Sequence, residues 1–409
     1  MSPTTDKPKS PKRRWLSVSL RRMAVLLTVV CLFLGWIGPK WVEAEREKVA
    51  VEKIATAGAM IQYDYQEDWE NGDPDPVPRG AFVLRYLLGE HILSRATTVY
   101  FYPGSKPNEA ADLLPELTQL RTVTFGTDVE LTDASVEAMV GCENLTKIWM
   151  ASGVFSANQL AKLSSVKSIQ HLSLCDRSAS DACLQQLHQF PNLKSLSIDS
   201  RLTTDIGIQA IAEVSSLESL VARSIPNVTN EGISPLHRLK KLKKFHIPYS
   251  AGTNQLTEAC LPDILQIRSL EDLDLSFYKT RVEFEPAQYS EFESLSHLKK
   301  LSLRHSNIQD EALLRIGTLA QLEELNVGWT DITDEGLAHL KNLGELRVLN
   351  TFGTRITHEG VRKLEALPSL ENISFDAREE LEIDTLQSIG FSPADPIKDR
   401  WTFVRQLKP

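Results

Sequence analysis

The apolar positions of this chain follow one phased pattern. A hexad L-x-x-L-x-L, with other small or aliphatic residues in place of Leu, begins at Ala96, Leu120, Leu145, Ile169, Leu193, Leu217, Leu242, Leu270, Leu298, Leu322, Leu346 and Leu370. Successive starts lie 24, 25, 24, 24, 24, 25, 28, 28, 24, 24 and 24 residues apart. Alternation of period two inside each hexad predicts a short strand with one side buried. A single hexad would mean little, but phased copies down three-quarters of a chain exclude coincidence.

The second half of each unit is phased too. Seven residues after the second strand Leu, or eight in the 25-residue units, a block of common form begins. It reads Ile332-Thr333-Asp334-Glu335-Gly336-Leu337 in one unit and Ile356-Thr357-His358-Glu359-Gly360-Val361 in the next. Val228-Thr229-Asn230-Glu231-Gly232-Ile233 and Leu131-Thr132-Asp133 are earlier versions. The leading aliphatic is expected in the core, and Thr or Asp is expected to cap a short helix. Leu337 and Leu340, three apart, then face inward. Each unit is therefore one strand and one short helix, neither able to bury its apolar side alone. Stacking solves this, with the strands forming a parallel sheet on one face and the helices lining the other.

These residues resemble the leucine-rich repeats of the "ITDxGLxxL" type, the cysteine-containing subclass found in F-box proteins and many bacterial surface proteins. The resemblance covers residues 93 to about 390 and implies an α/β solenoid of about 12 strand–helix units of 24–28 residues. One position departs from the subclass, the Asn/Cys/Thr site five residues after the second strand Leu. It is Ser306, Thr330 and Thr354 in regular units but Arg177, Arg201, Ile225, Tyr278 and Arg378 in others, so a continuous side-chain ladder is not expected there. No F-box helices precede the repeats.

Ahead of the repeats, Met23–Ile37 is an uncharged run of fifteen residues. That is short of the roughly 20 a membrane span uses, but Trp15, Trp36 and Trp41 suit its interfaces. Residues 1–22 carry seven Lys and Arg against Asp6, a net of +6, which predicts a cytoplasmic N-terminus and an external remainder. The order of basic tail, single anchor, charged helix and repeats resembles membrane-anchored bacterial members. A cleaved signal ending near Val42-Glu43-Ala44 is the alternative. The expected organisation is a basic tail (1–22), a transmembrane signal-anchor helix (23–41), a juxtamembrane helix and N-terminal cap (42–92), the repeat domain (93–390) and a C-terminal cap (391–409). Within the cap region, Lys40–Ala57 reads as an exposed charged helix ended by Gly58. Met60–Tyr65 reads as a strand, Asp73–Pro78 as a loop and Ala81–Leu88 as a second helix.

Charge narrows the partners. The whole chain is −9, so residues 23–409 sum to −15, a poor match to a phosphate backbone; no nucleic-acid partner is expected. The five cysteines form no CxxC pair, although a Cys175–Cys183 disulfide is conceivable. No phosphate-loop, dinucleotide, zinc-protease or nucleophile-elbow motif occurs, so no catalytic residue, metal or cofactor is assigned.

What remains is surface. Strand geometry turns the residues flanking the second Leu outward. Lys244, His246, Asp272, Asp274, Lys300, Arg304, Glu324 and Asn326 form the first candidate partner-binding set, beside the two 28-residue units. Tyr100, Tyr102 and Trp149 form a second, aromatic set. The extra residues of the long units, near Tyr249–Gln255 and Phe277–Arg281, and the aromatics Phe284, Tyr289 and Phe292 after them, are either rim binding elements or core filler. The reading is a non-catalytic module for a protein or peptide ligand. The alternatives are a structural envelope spacer and a hydrolase with a site assembled across repeats.

Overall fold

The computed structural model describes residues 20–66, 94–126, 129–151, 153–247, 255–276, 286–376, 380–395 and 399–405. The basic tail before Leu20, the Asp73–Pro78 loop and the expected Ala81–Leu88 helix lie outside them.

A single helix, α1 (Leu20–Thr56), holds both the apolar run and the charged segment behind it. It ends at Gly58, whose φ of 88° is the left-handed geometry that a glycine stop supplies cheaply. The strands are β1 (Ala59–Tyr63), β2 (Ala96–Phe101), β3 (Thr122–Phe125), β4 (Val129–Glu130), β5 (Lys147–Met150), β6 (Gly153–Val154), β7 (His171–Cys175), β8 (Ser195–Asp199), β9 (Ser219–Arg223), β10 (Lys244–His246), β11 (Asp272–Asp274), β12 (Lys300–Ser302), β13 (Glu324–Asn326), β14 (Val348–Asn350), β15 (Asn372–Ser374), β16 (Phe391–Asp395) and β17 (Asp399–Arg405). Among the described residues they form one sheet of 15 strands, in the order β1-β2-β3-β5 and onward to β15-β17-β16, plus the small pair β4-β6.

All twelve hexads are strands of that sheet, parallel and in step, as in the alignment of Leu301 with Leu325 and Leu325 with Leu349. The central residue of each, from Val99 through Phe245 and Leu325 to Ile373, is at most 2% exposed. Both ends are closed by antiparallel strands, β1 on β2 and β17 on β15, so neither edge repeats the parallel register. Phe391 and Phe403 of the closing hairpin are buried against the last repeat.

The helix side is sewn by one recurring device. Thr333 caps its helix by accepting from the Glu335 N–H at 3.3 Å. Its own N–H and hydroxyl reach back to the Asp310 carboxylate of the preceding repeat, at 2.9 and 2.6 Å. Thr204 on Asp181, Thr229 on Asp205 and Thr357 on Asp334 repeat the arrangement. The glycine of each block explains itself here. A Cβ on Gly232, Gly336 or Gly360 would overlap the carboxylate of Asp205, Asp310 or Asp334 respectively. The block therefore encodes a core residue, a cap, an acceptor for the next cap and a gap for the previous acceptor. The hydroxyls of Ser306, Thr330 and Thr354 instead donate within their own turns, to the carbonyls of Leu303, Val327 and Thr351.

Helix α1 departs from the expected exposed helix. Ala44, Glu47, Ala50 and Ile54, spaced three, three and four apart, are buried against the first repeat. Glu47 accepts from the Ala96 N–H at 2.7 Å and pairs with the Arg95 guanidinium at 2.8 Å. Burial pushes its carboxyl up, and the Ala96 and Arg95 hydrogen bonds only partly oppose this. A buried charge is tolerated there because both oxygens are bonded. Cys175 and Cys183 are not joined. The Cys183 thiol instead donates to the Phe155 carbonyl at 3.3 Å.

Candidate binding surface

The strands β10 to β15 set two outward rows on the concave face. One runs Lys244, Asp272, Lys300, Glu324, Val348, Asn372; the other runs His246, Asp274, Ser302, Asn326, Asn350, Ser374. All of these but Asn372 line a hollow of about 420 Å³. Seven of the eight residues in the first candidate set border it: Lys244, His246, Asp272, Asp274, Lys300, Glu324 and Asn326. Arg304 does not. Strand β12 stops at Ser302 and the chain turns at His305, whose φ is 63°, which puts Arg304 on the rim past the strand end.

The charged half of the hollow is paired within itself. The Asp272 carboxylate lies 2.7 Å from His246 Nε2 and 3.2 Å from Lys244 Nζ, and Lys300 pairs with Glu324. Burial pushes the Asp272 carboxyl up, but His246 and Lys244 together outweigh it and hold the group below the usual carboxylate range. The Glu324 hydrogen bond pushes the Lys300 ammonium above its ordinary value. Three more side chains turn back on their own backbone. Asp274 accepts from the Ser276 N–H at 2.9 Å, Asn326 from Gly328 at 3.1 Å and Asn350 from Phe352 at 3.0 Å. Such turns fix where a strand ends.

The second candidate set sits at the other end. Tyr100 stands between Met60 of β1 and Thr124 of β3, and Trp149 pairs across from the same Thr124. Tyr102 follows β2, its hydroxyl 3.4 Å from the Met60 sulfur. Tyr102 and Trp149 are exposed, and the Lys147 ammonium lies 5.3 Å from the Trp149 ring centre.

Sequence reasoning missed a third feature. Trp329 stacks on His305 at 5.6 Å and 16° and packs on Phe352 at 5.4 Å, yet remains 45% exposed. His305 and Trp329 both hold left-handed backbone, φ 63° and 59°, where the following repeat has Gly353 at 72°. Holding a Trp there costs on the order of 1 kcal/mol. The available signal was a Trp at the position where the next repeat places Gly353. The enlarged units offered less. Their extra residues and Phe284 fall largely outside the described residues, while Tyr289 and Phe292 are buried core. Among the described residues no cluster of three His, Cys, Asp or Glu is placed to hold a metal.

One family model and several solved structures are similar to this chain. The family model described as "Leucine Rich repeat" matches residues 294–317 and 320–340. No curated protein matches the chain. Among solved structures, an internalin from Listeria monocytogenes is 19% identical over 65% of this chain and 70% of that one, with a TM-score of 0.45. A leucine-rich-repeat protein from Leptospira interrogans is 15% identical over 65% and 80%, with a TM-score of 0.37. TLR13 in a TLR13–ssRNA13 complex is 15% identical over 64% and 40%, with a TM-score of 0.44. These likenesses concern fold alone. The twelve in-step parallel strands, each followed by helical turns, form a leucine-rich-repeat solenoid, and the family match lies within it.

Proposed function

We propose that the chain is a non-catalytic binding module that takes a protein or peptide along its concave face, outside the cytoplasmic membrane. The carrying observation is the hollow over β10 to β15, where rigid strands present chemically varied side chains in fixed register. Helix α1 supports the location. Its apolar half stands exposed, with Leu26, Leu27, Leu32 and Trp36 all open, while its second half is locked to the first repeat through Glu47 and Ile54. A span by the first half holds the repeats close to the membrane, with the basic tail inside. Protease added to intact spheroplasts is expected to digest the repeats and spare residues 1–22; protected repeats overturn the orientation. Crosslinking in native membranes followed by mass spectrometry is expected to yield one stoichiometric partner with its contacts on the concave strands.

One observation favours a different reading. The charges of the hollow neutralise one another across the ladder, which is what a spacer without a dedicated ligand needs. Crosslinking that returns no stoichiometric partner supports the spacer.

A further inference from the structure

The two ends of the hollow differ in what they leave unpaired. On the β10–β12 side each carboxylate has a cation or a backbone N–H. On the β13–β15 side the second row is uncharged, Asn326, Asn350 and Ser374, and the one carboxylate of the first row, Glu324, is paired with Lys300. The amide oxygens of Asn326 and Asn350 are used in their turns, so their Nδ2 groups are what they offer a ligand. Neither Nδ2 has an acceptor among the described residues. The two asparagines are register partners on adjacent strands, whose backbones run about 4.8 Å apart.

The rim above them adds to this. The parallel ladder continues past the strands, since the His305 N–H donates to Gly328 at 3.0 Å and the Trp329 N–H to Phe352 at 2.7 Å. Arg304, Gly328 and Phe352 are therefore neighbours in one row. Arg304 has no ion-pair partner among the described residues, and the Trp329 indole N–H has no acceptor among them. This corner presents donors and aromatic edges together.

We infer that the β13–β14 end of the hollow is a carboxylate-binding subsite, which takes an Asp or Glu side chain, flanked by an apolar residue, from an extended segment of a partner protein. A carboxylate accepts from two neighbouring amides at once, and its charge shortens and strengthens each bond. The strained, exposed Trp329 and tilted Phe352 provide the adjoining apolar contact, aromatic side chains of the kind that anchor interfaces when a partner covers them. Arg304, on the rim, supplies attraction at longer range. This inference rests on the concave-face reading above and narrows it to one ligand chemistry.

Random dodecapeptides displayed on phage, selected on the full-length chain in detergent, test both separately. The expected result is enrichment of Asp and Glu beside an aromatic or aliphatic residue. A synthetic consensus peptide should lose at least about tenfold in affinity when its acidic residue becomes the amide, the scale of one charge-assisted bond. Asn326→Asp and Asn350→Asp discriminate further. Each keeps the oxygen that accepts the turn N–H, so the melting midpoint stays, but each replaces the free donor by a charge that repels the ligand. Arg304→Gln should slow association and lower its salt dependence. Peptides that bind without acidic preference, lose affinity with Lys300→Glu and ignore both Asn→Asp changes leave concave-face binding standing and overturn the subsite. No enrichment over detergent controls overturns both.

Discussion

The helix side and the concave face of the same repeats handle polar groups in opposite ways. On the helix side one bonding pattern recurs, with an Asp, a capping Thr and a Gly, and its Thr–Asp hydrogen bonds cross from each repeat to the one before. On the concave face the residues change from strand to strand, from the aromatic end at Tyr100 and Trp149, through the paired charges, to the open amides of Asn326 and Asn350. Repetition marks what the architecture needs, since each repeat must satisfy its neighbour. Variation marks positions that the stack leaves free. A bulky residue held in a strained conformation and still exposed, as Trp329 is at a left-handed position, is where function is to be sought.

The core beneath both surfaces sets the largest effect. Leu325 is 1% exposed, and Leu325→Ala is expected to cost about 2–5 kcal/mol. The loss should spread to neighbouring repeats, read as a broadened urea transition with raised hydrogen exchange on both sides. Glu324→Ala, one residue away and outward, should cost under about 1 kcal/mol. Equal costs would mean that the strand faces are assigned the wrong way round.

The seam comes next. Gly336→Ala places a methyl on the Asp310 carboxylate and should displace it from Thr333. Helix propensity alone favours Ala over Gly by about 1 kcal/mol, so the two effects have opposite signs. We expect a net loss of about 1–2 kcal/mol, because two hydrogen bonds to a charged group are broken. The double variant Asp310→Ala with Gly336→Ala removes the clash and should regain part of the loss. A stabilised Gly336→Ala would show that the carboxylate moves aside freely and that the glycine is not a packing requirement.

Much of this was legible in the sequence. Hexads of period two placed all twelve strands, because a pattern repeated at fixed spacing corrects its own local ambiguity. Thr229, Thr333 and Thr357 were legible as caps from their place before the helix. The roles of Asp310 and Gly336 were not, since they depend on a contact between residues 26 apart that only the stacking distance creates. Lys40–Ala57 reads as an exposed charged helix, yet its Glu47 is 3% exposed, because periodicity cannot say which face of a charged helix a neighbour will cover. Outward strand positions gave seven residues of the hollow, but not that Asp274 and Asn326 turn back to their own backbone. Arg304 was placed by extending the alternation beyond the end of the strand.

The concave charges should matter less for stability than either core or seam. Lys300→Glu sets a third carboxylate between Asp272 and Glu324, opposite it on either side. Exposed cross-strand pairs are each worth under about 1 kcal/mol, so the thermal midpoint should fall only slightly. Capture of a crosslinked partner should fall strongly if the face binds. An unchanged capture directs attention to Tyr100, Tyr102 and Trp149, where Trp149→Ala is the corresponding test.

The smallest effect asks whether the charged ladder contributes any stability at all. Asp272 is held below its ordinary range against the push of its own burial, by His246 and Lys244. A carboxyl depressed in the folded state binds its proton less readily there than in the unfolded chain, where it titrates near pH 4. Its stabilising contribution is therefore complete above about pH 5, and is lost as pH falls through the folded value. Asp272→Asn removes the charge but keeps the shape. The gap in melting midpoint between wild type and Asp272→Asn should be widest at pH 6–7 and close toward pH 3. Asp274→Asn is the control, because an amide oxygen still accepts from the Ser276 N–H and little should change at any pH. A gap at Asp272 that stays constant from pH 7 to 3 would mean that the carboxylate acts there through shape and hydrogen bonding alone. The concave charges would then carry no folding role, and their retention in the ladder would have to be explained by what binds to them.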